Sequence, residues 1–209
     1  MTSEKGTARG ADVRLRSDAQ RNRDDLLAAA VVAFTRDANA SLEGIARAAG
    51  VGIGTLYRHY PTRESLLEAA YRKEIERLCS AAPGLLEKHP PDIALGRFLD
   101  RFIDDMLTKH GMIQALRAVI VAGGTALNQS LAMIGAAVAP LIEAGKAEGV
   151  LRDDVTVEDF LSVKGAVATA RPENVRRLAV ILVDGLRRRA PAPTAKEKAK
   201  KKPTKKARR

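Results

Sequence analysis

From Leu26 to Leu186 the apolar residues of this chain recur three, four and seven positions apart, and no run alternates with a period of two. That spacing lays one apolar stripe along a helix and cannot line one face of a strand, so the chain is predicted to be all-α. Leu27, Ala30, Val31 and Phe34 mark a first helix, predicted to open at Ser17, which forms a capping-box pattern with Gln20, and to run to about Asp37. Leu42, Ile45, Ala46 and Ala49 mark a short second helix that Gly50 ends. Pro61 lacks an amide and pushes Tyr60 out of the helical region, which confines a third helix to Ile53 through about His59. Thr62 caps a long fourth helix that Pro83-Gly84 breaks, and Pro90-Pro91 opens a fifth with a wide stripe of Phe98, Leu99, Phe102, Ile103, Met106 and Leu107. Glycines at 111, 123, 124 and 149 separate Met112 to about Ala122 from about Ala126 to Glu148; Thr156 to about Ala170 and Glu173 to about Arg189 complete nine helices. The predicted organisation is a flexible basic arm (1–17), a three-helix head (18–62), a helical body (63–189) and a disordered Lys-rich tail (190–209).

The hydrophobic fraction of 45% with only 3% aromatics and no Trp means that Leu, Ile, Val and Ala must build the core. The net charge of +11 suggests a nucleic-acid partner, but its location matters. The tail alone holds seven Lys, two Arg and one Glu, which leaves the rest of the chain close to balanced. The single Cys79 cannot form an internal disulfide, and no apolar run of signal-peptide or membrane-spanning type is evident, so a cytoplasmic protein is expected.

"GVGIGTLYRHYPTRE", Gly50 to Glu64, sets three glycines at alternate positions before a basic, aromatic stretch. A phosphate-cradling loop needs a preceding strand and a G-x-G-x-x-G or G-x-x-x-x-G-K spacing, and neither is present. A helix-turn-helix accounts for each residue. Gly50 takes the left-handed C-cap, Val51 plugs the core, Gly52 caps the next helix, and the small Gly54 and Thr55 allow close approach to DNA. Leu56 turns inward, Tyr60 packs on the first helix, and Tyr57, Arg58 and His59 emerge elsewhere.

The stretch "SLEGIARAAGVGIGTLYRHYPTRESLLEAAY" resembles the DNA-binding signature of TetR-family transcriptional regulators, with Gly52 in place of the usual Ser or Thr, Tyr60 in place of Phe and Arg63 in place of Lys. The resemblance implies the family's nine-helix fold and backbone contacts from Thr55, Tyr57, His59 and Arg63. Groove contacts fall to Ile53, Gly54 and Arg58, and a phosphate contact to Arg47. It also implies a C-terminal domain that dimerises and binds a small effector, with release of a palindromic operator as the expected response. "RFLDRFIDDMLTKHGMIQALRAVIVAGG" is similar to the C-terminal domain of SbtR-like members. Phe98, Phe102, Met106, Met112, Leu116, Ile120, Met133 and Ile134 are candidates to line an effector cavity, with Arg117 or Asn128 as polar anchor; filling the core is the alternative for each. Phe160, Leu161, Val163, Val167, Leu178, Ile181, Leu182 and Leu186 are candidates for a dimeric four-helix bundle. Scattered His59, His89 and His110 give no metal spacing, and Asp100, Asp104 and Asp105 among Arg97, Arg101 and Lys109 suggest an ion-paired face. No cofactor and no enzymatic activity are expected. A nucleoid-type architectural DNA binder that relies on the tail is the competing reading.

Overall fold

The computed structural model describes residues 5–121 and 126–188, with side chains from Gln20 onward except at 118, 120, 121, 126 and 127. Ten helices occupy them: α1 (Lys5–Arg36), α2 (Leu42–Ala48), α3 (Ile53–His59), α4 (Arg63–Cys79), α5 (Ala82–Lys88), α6 (Pro91–Thr108), α7 (His110–Val121), α8 (Ala126–Ala147), α9 (Val157–Thr169) and α10 (Val175–Leu186). Among the described residues there is no strand. A lone antiparallel bridge between Leu151 and Arg187 closes the α8–α9 turn onto the end of α10.

The ten helices replace the nine expected, and Gly111, expected to separate two helices, lies inside α7, which opens at His110. Two further boundaries differ more. Helix α1 opens at Lys5, so Ser17 and Gln20 lie within it and the predicted arm is helical from Lys5 to residue 17. Gly6 and Gly10 each cost about 1 kcal/mol relative to Ala, too little to stop a segment otherwise free of breakers. At Pro83-Gly84 the chain breaks slightly earlier, after Cys79, and then uses the proline to begin a new helix, α5. Proline is tolerated in a first turn because its missing amide has no intrahelical acceptor there. Thr62 caps α4 as expected: its hydroxyl oxygen accepts from the Ser65 amide at 3.0 Å, and Ser65 Oγ accepts from the Thr62 amide at 3.2 Å. Thr156 and Asp159 form the same reciprocal cap at α9.

Helix α1 packs on α2, α4 and α7, which joins the first three helices to the rest, while α6 and α8 lie at the centre of the body against α4, α5, α9 and α10. Leu26, Phe34, Ile45, Leu56 and Leu67 are buried in the head and at its junction with α4, and Leu95, Phe98, Ile134, Leu141 and Phe160 in the body, as parts of one continuous core. The α1–α7 seam is unusually close: a Cβ on Gly111 would stand 2.5 Å from the Phe34 carbonyl oxygen and 2.8 Å from that of Thr35. Asn128–Ala147 is long and apolar enough to cross a membrane. Here Ile134, Val138, Leu141 and Ile142 of that segment are buried within the body, the ordinary place of a core helix.

The acidic residues of α6 pair mainly with other helices. Asp104 accepts from Arg176 of α10 at 2.7 Å, and Asp92 from Arg187 at 2.9 Å. Asp105 takes two contacts from Arg77 of α4, at 2.6 and 2.8 Å, and one from Lys109 at 2.7 Å. Lys109 also donates to Glu74, which closes a network between α4 and α6.

Candidate nucleic-acid interface

Helix α2 begins on Ser41, whose hydroxyl oxygen accepts from the Gly44 amide at 3.1 Å. It ends in a Schellman turn. Gly50, at φ +69°, donates to the Arg47 carbonyl at 3.1 Å, and Val51 donates to that of Ala46 at 3.0 Å. The turn fixes the angle between α2 and α3, and Val51 fills the space between them as half-buried apolar packing.

Helix α3 has seven residues, about 10 Å at 1.5 Å per residue. A helix this short does not hold in isolation, so its packing must stabilise it. Leu56 is fully buried, and Tyr60, just past the helix, is buried with its hydroxyl accepting from Arg23 Nε of α1 at 3.3 Å. With Leu56 turned inward, Ile53, Gly54, Tyr57 and Arg58 face solvent; Ile53 is 38% and Tyr57 45% exposed. An isoleucine and a tyrosine are thus left partly in water on this short helix. A Cβ at Gly52 or Gly54 would meet nothing within 4 Å, so the surface is open as well as exposed.

Of the other sequence-predicted contact residues, Arg47 is exposed on α2, and Thr55 and His59 are half-buried at the flanks of α3. Arg63 is placed differently from a free phosphate contact. Its guanidinium lies 5.0 Å from the centre of the Phe34 ring and donates to the Ala38 carbonyl, so it ties the start of α4 to the end of α1.

In the body, Phe102, Met106 and Met112 come together around a recess of about 30 Å³ between α4, α6 and α7, with Tyr71, Glu74, Asp105 and Lys109 also on its wall. Burial raises the Tyr71 hydroxyl above its ordinary pKa, and its hydrogen bond to Ser130 of α8 opposes the shift. Phe98, Leu116 and Ile134 are buried core residues, and Met133 is half-buried against them. The side chain of Ile120 lies outside the described residues. Asn128 is exposed, and Arg117 is exposed and reaches the Ala168 carbonyl at 3.5 Å, so neither points inward as a polar anchor. Lys164 was not anticipated: it is buried in α9, at the fourth position after Phe160 on the same apolar stripe. The interruption of that stripe by a lysine was the available signal. Cys79 is half-buried and its thiol pKa is raised by burial, as befits an apolar packing residue.

The candidate dimer set divides. Phe160, Val167 and Leu186 are buried within this chain and correct the expectation that they pack on a second copy. Leu161, Val163, Leu178 and Leu182 are half-buried, whereas Ile181 is 56% exposed beside Val180 at 58%.

Residues 26–70 match the tetR-family model of bacterial regulatory proteins, and residues 90–188 match that of the SbtR-like transcriptional regulator C-terminal domain. Comparison with curated proteins gives no match. Among solved structures, the TetR regulator SCO0520 from Streptomyces coelicolor is 45% identical over 80% of this chain and 99% of its own, with a TM-score of 0.64. A TetR regulator from Mycobacterium vanbaalenii is 32% identical over 83% of this chain and 99% of its own, with a TM-score of 0.58. RolR, solved with resorcinol, shares the fold at 16% identity over 82% of this chain and 90% of its own, with a TM-score of 0.59. An exposed α3 on a Schellman turn, a helical body that continues from it, and these matches along both parts establish that the chain belongs to the TetR family of DNA-binding transcriptional regulators.

Proposed function

We propose that the protein is a dimeric repressor whose hold on a palindromic operator is relieved by a small-molecule effector. The observation that carries the DNA-reading part is the outward strip Ile53, Gly54, Tyr57 and Arg58, held on a helix whose other side is locked by Leu56. An α-helix, about 10–12 Å across with its side chains, fits a major groove about 12 Å wide. Tyr57 within that strip and Arg47, Thr55 and His59 beside it are candidate phosphate contacts, and Arg63 contributes mainly by stiffening the head. The exposed Val180 and Ile181 on α10 support pairing of two copies through α9 and α10, which would set two α3 helices against successive grooves.

The apolar interior around Phe102 and Met112 supports effector binding, and RolR supplies a fold-level precedent for a bound small aromatic. The nine cations of residues 190–209, which lie outside the described residues, add sequence-independent attraction to phosphate.

The test is an anisotropy titration against DNA from upstream of the protein's own gene and a scrambled duplex, near physiological salt, with and without residues 190–209. A preference of about a thousandfold or more that survives removal of the tail supports a site-specific regulator. Equal affinities that collapse together without the tail support the architectural alternative, given a random-sequence selection that also finds no operator.

A further inference from the structure

Helices α6 and α9 meet in register. Phe98 faces Phe160 with ring centroids 6.2 Å apart, and one turn further along each helix the Lys164 ammonium lies 4.6 Å from the centre of the Phe102 ring. Lysine thus stands where the ladder calls for another apolar side chain, between buried Phe160 and buried Val167, and only 6% of it is exposed. No carboxylate among the described residues pairs with it. Burial holds its ammonium below the ordinary lysine range.

The negative face of Phe102 returns only part of the hydration that the ammonium gives up. Among the described residues no acidic side chain serves as its counter-ion, so an anion from outside them would meet an ammonium with only an aromatic face beside it. Phe102 also lines the recess shared with Tyr71, Met106 and Met112; Lys164 is not on that wall, and the two carboxylates that are, Glu74 and Asp105, are both paired with Lys109. At about 30 Å³ that space holds little more than a water. Its walls include two methionines, whose unbranched side chains re-pack more readily than branched ones. We propose that the recess between α4, α6 and α7 opens past the Phe102 ring toward α9 to take an apolar molecule bearing one carboxylate or similar anionic group, and that Lys164, seated on that ring, is the charge partner of that group. This names the chemical class of the effector in the reading above and rests on that reading only for the consequence at DNA.

The test uses the full chain at pH 7 with octanoate, decanoate and 3-phenylpropanoate as probes, each compared with its primary amide by calorimetric titration and thermal melting. At least one acid is expected to bind tenfold or more tightly than its amide and to raise the melting temperature. Lys164→Met should abolish that preference and Lys164→Arg should retain part of it. Without any probe, Lys164→Met should melt no lower than the parent, since methionine approximates the stem of lysine and requires no counter-ion. Absence of binding by every acid, equal binding of acid and amide, or a preference that survives in Lys164→Met would overturn the proposal. So would a lowered melting temperature of the probe-free Lys164→Met protein, because it would assign the ammonium a structural role. Acid binding through Lys164 that leaves operator affinity unchanged would uphold the proposal and refute effector relief. Operator release by amides with no acid preference would do the reverse.

Discussion

Replacing Gly111 with alanine tests a close backbone approach between α1 of the DNA-reading head and α7 of the body. The new methyl carbon would lie 2.5 Å from the Phe34 carbonyl oxygen and 2.8 Å from that of Thr35. Ordinary carbon-to-carbonyl contacts begin near 3.3 Å, so the end of α1 and the start of α7 must separate by about 0.8 Å. Both obstacles are backbone atoms, and no rotamer change relieves them. Overpacking of this kind costs about 1–3 kcal/mol, against a gain of at most about 1 kcal/mol from alanine over glycine in a helix. The net expectation is a loss of about 1–2 kcal/mol. In urea, with a slope near 2 kcal/mol/M, the midpoint should fall by about 0.5–1 M. Phe34 also supports the Arg63 guanidinium, so displacement of α1 should lower operator affinity although no residue of the α3 strip has changed. A midpoint equal to or above that of the parent would refute the argument.

Gly54→Glu should leave the unfolding free energy from urea melts within about 0.5 kcal/mol of the parent, because the added side chain meets open space, while operator binding in the anisotropy assay is lost to repulsion from phosphate. Ile181→Glu, at a position 56% exposed, should convert the dimer to monomer in sedimentation velocity without loss of helical signal. The lowered pKa of Lys164 fixes a sign for pH dependence. Between its folded value and the ordinary 10.5 the unfolded chain binds the extra proton, so the parent should gain stability relative to Lys164→Met as pH rises through that window, in paired urea melts; a flat difference would contradict an unpaired buried ammonium.

The head was legible in the sequence because its constraints are local. Gly50 must take a positive φ, Pro61 limits α3, and Thr62 caps α4, so three residues nearly determine the helix ends. The start of α1 was not legible, because a capping box signals a possible start and does not prevent a helix from continuing through it. The role of Arg63 depends on Phe34 and Ala38, both more than twenty residues away, and a motif reads only neighbours. The same limit explains the candidate anchors: Arg117 and Asn128 are polar residues in an apolar region of sequence, yet both lie on outward sides of their helices, whereas buried Lys164 passed as a gap in a stripe.

Helix α4 supplies a second physical link between the two regions, beside the α1–α7 seam. It is 17 residues long, about 25 Å, with no glycine or proline to bend it. Its first residue, Arg63, is fastened to Phe34 and Ala38 in the head, while Tyr71 bonds to Ser130 and Glu74 and Arg77 join the α6 network in the body. Phe102 and Met112 share a recess with Tyr71, Glu74 and Asp105. A molecule that enlarges that recess must therefore press on α4 or stretch its ion pairs to Asp105 and Lys109. Partly exposed pairs contribute only about 1 kcal/mol or less each, so they can yield at little cost. Where α4 itself is pressed, it has no glycine or proline to bend at, and displacement at Glu74 is carried along the helix toward Arg63, whose partners Phe34 and Ala38 lie in the head.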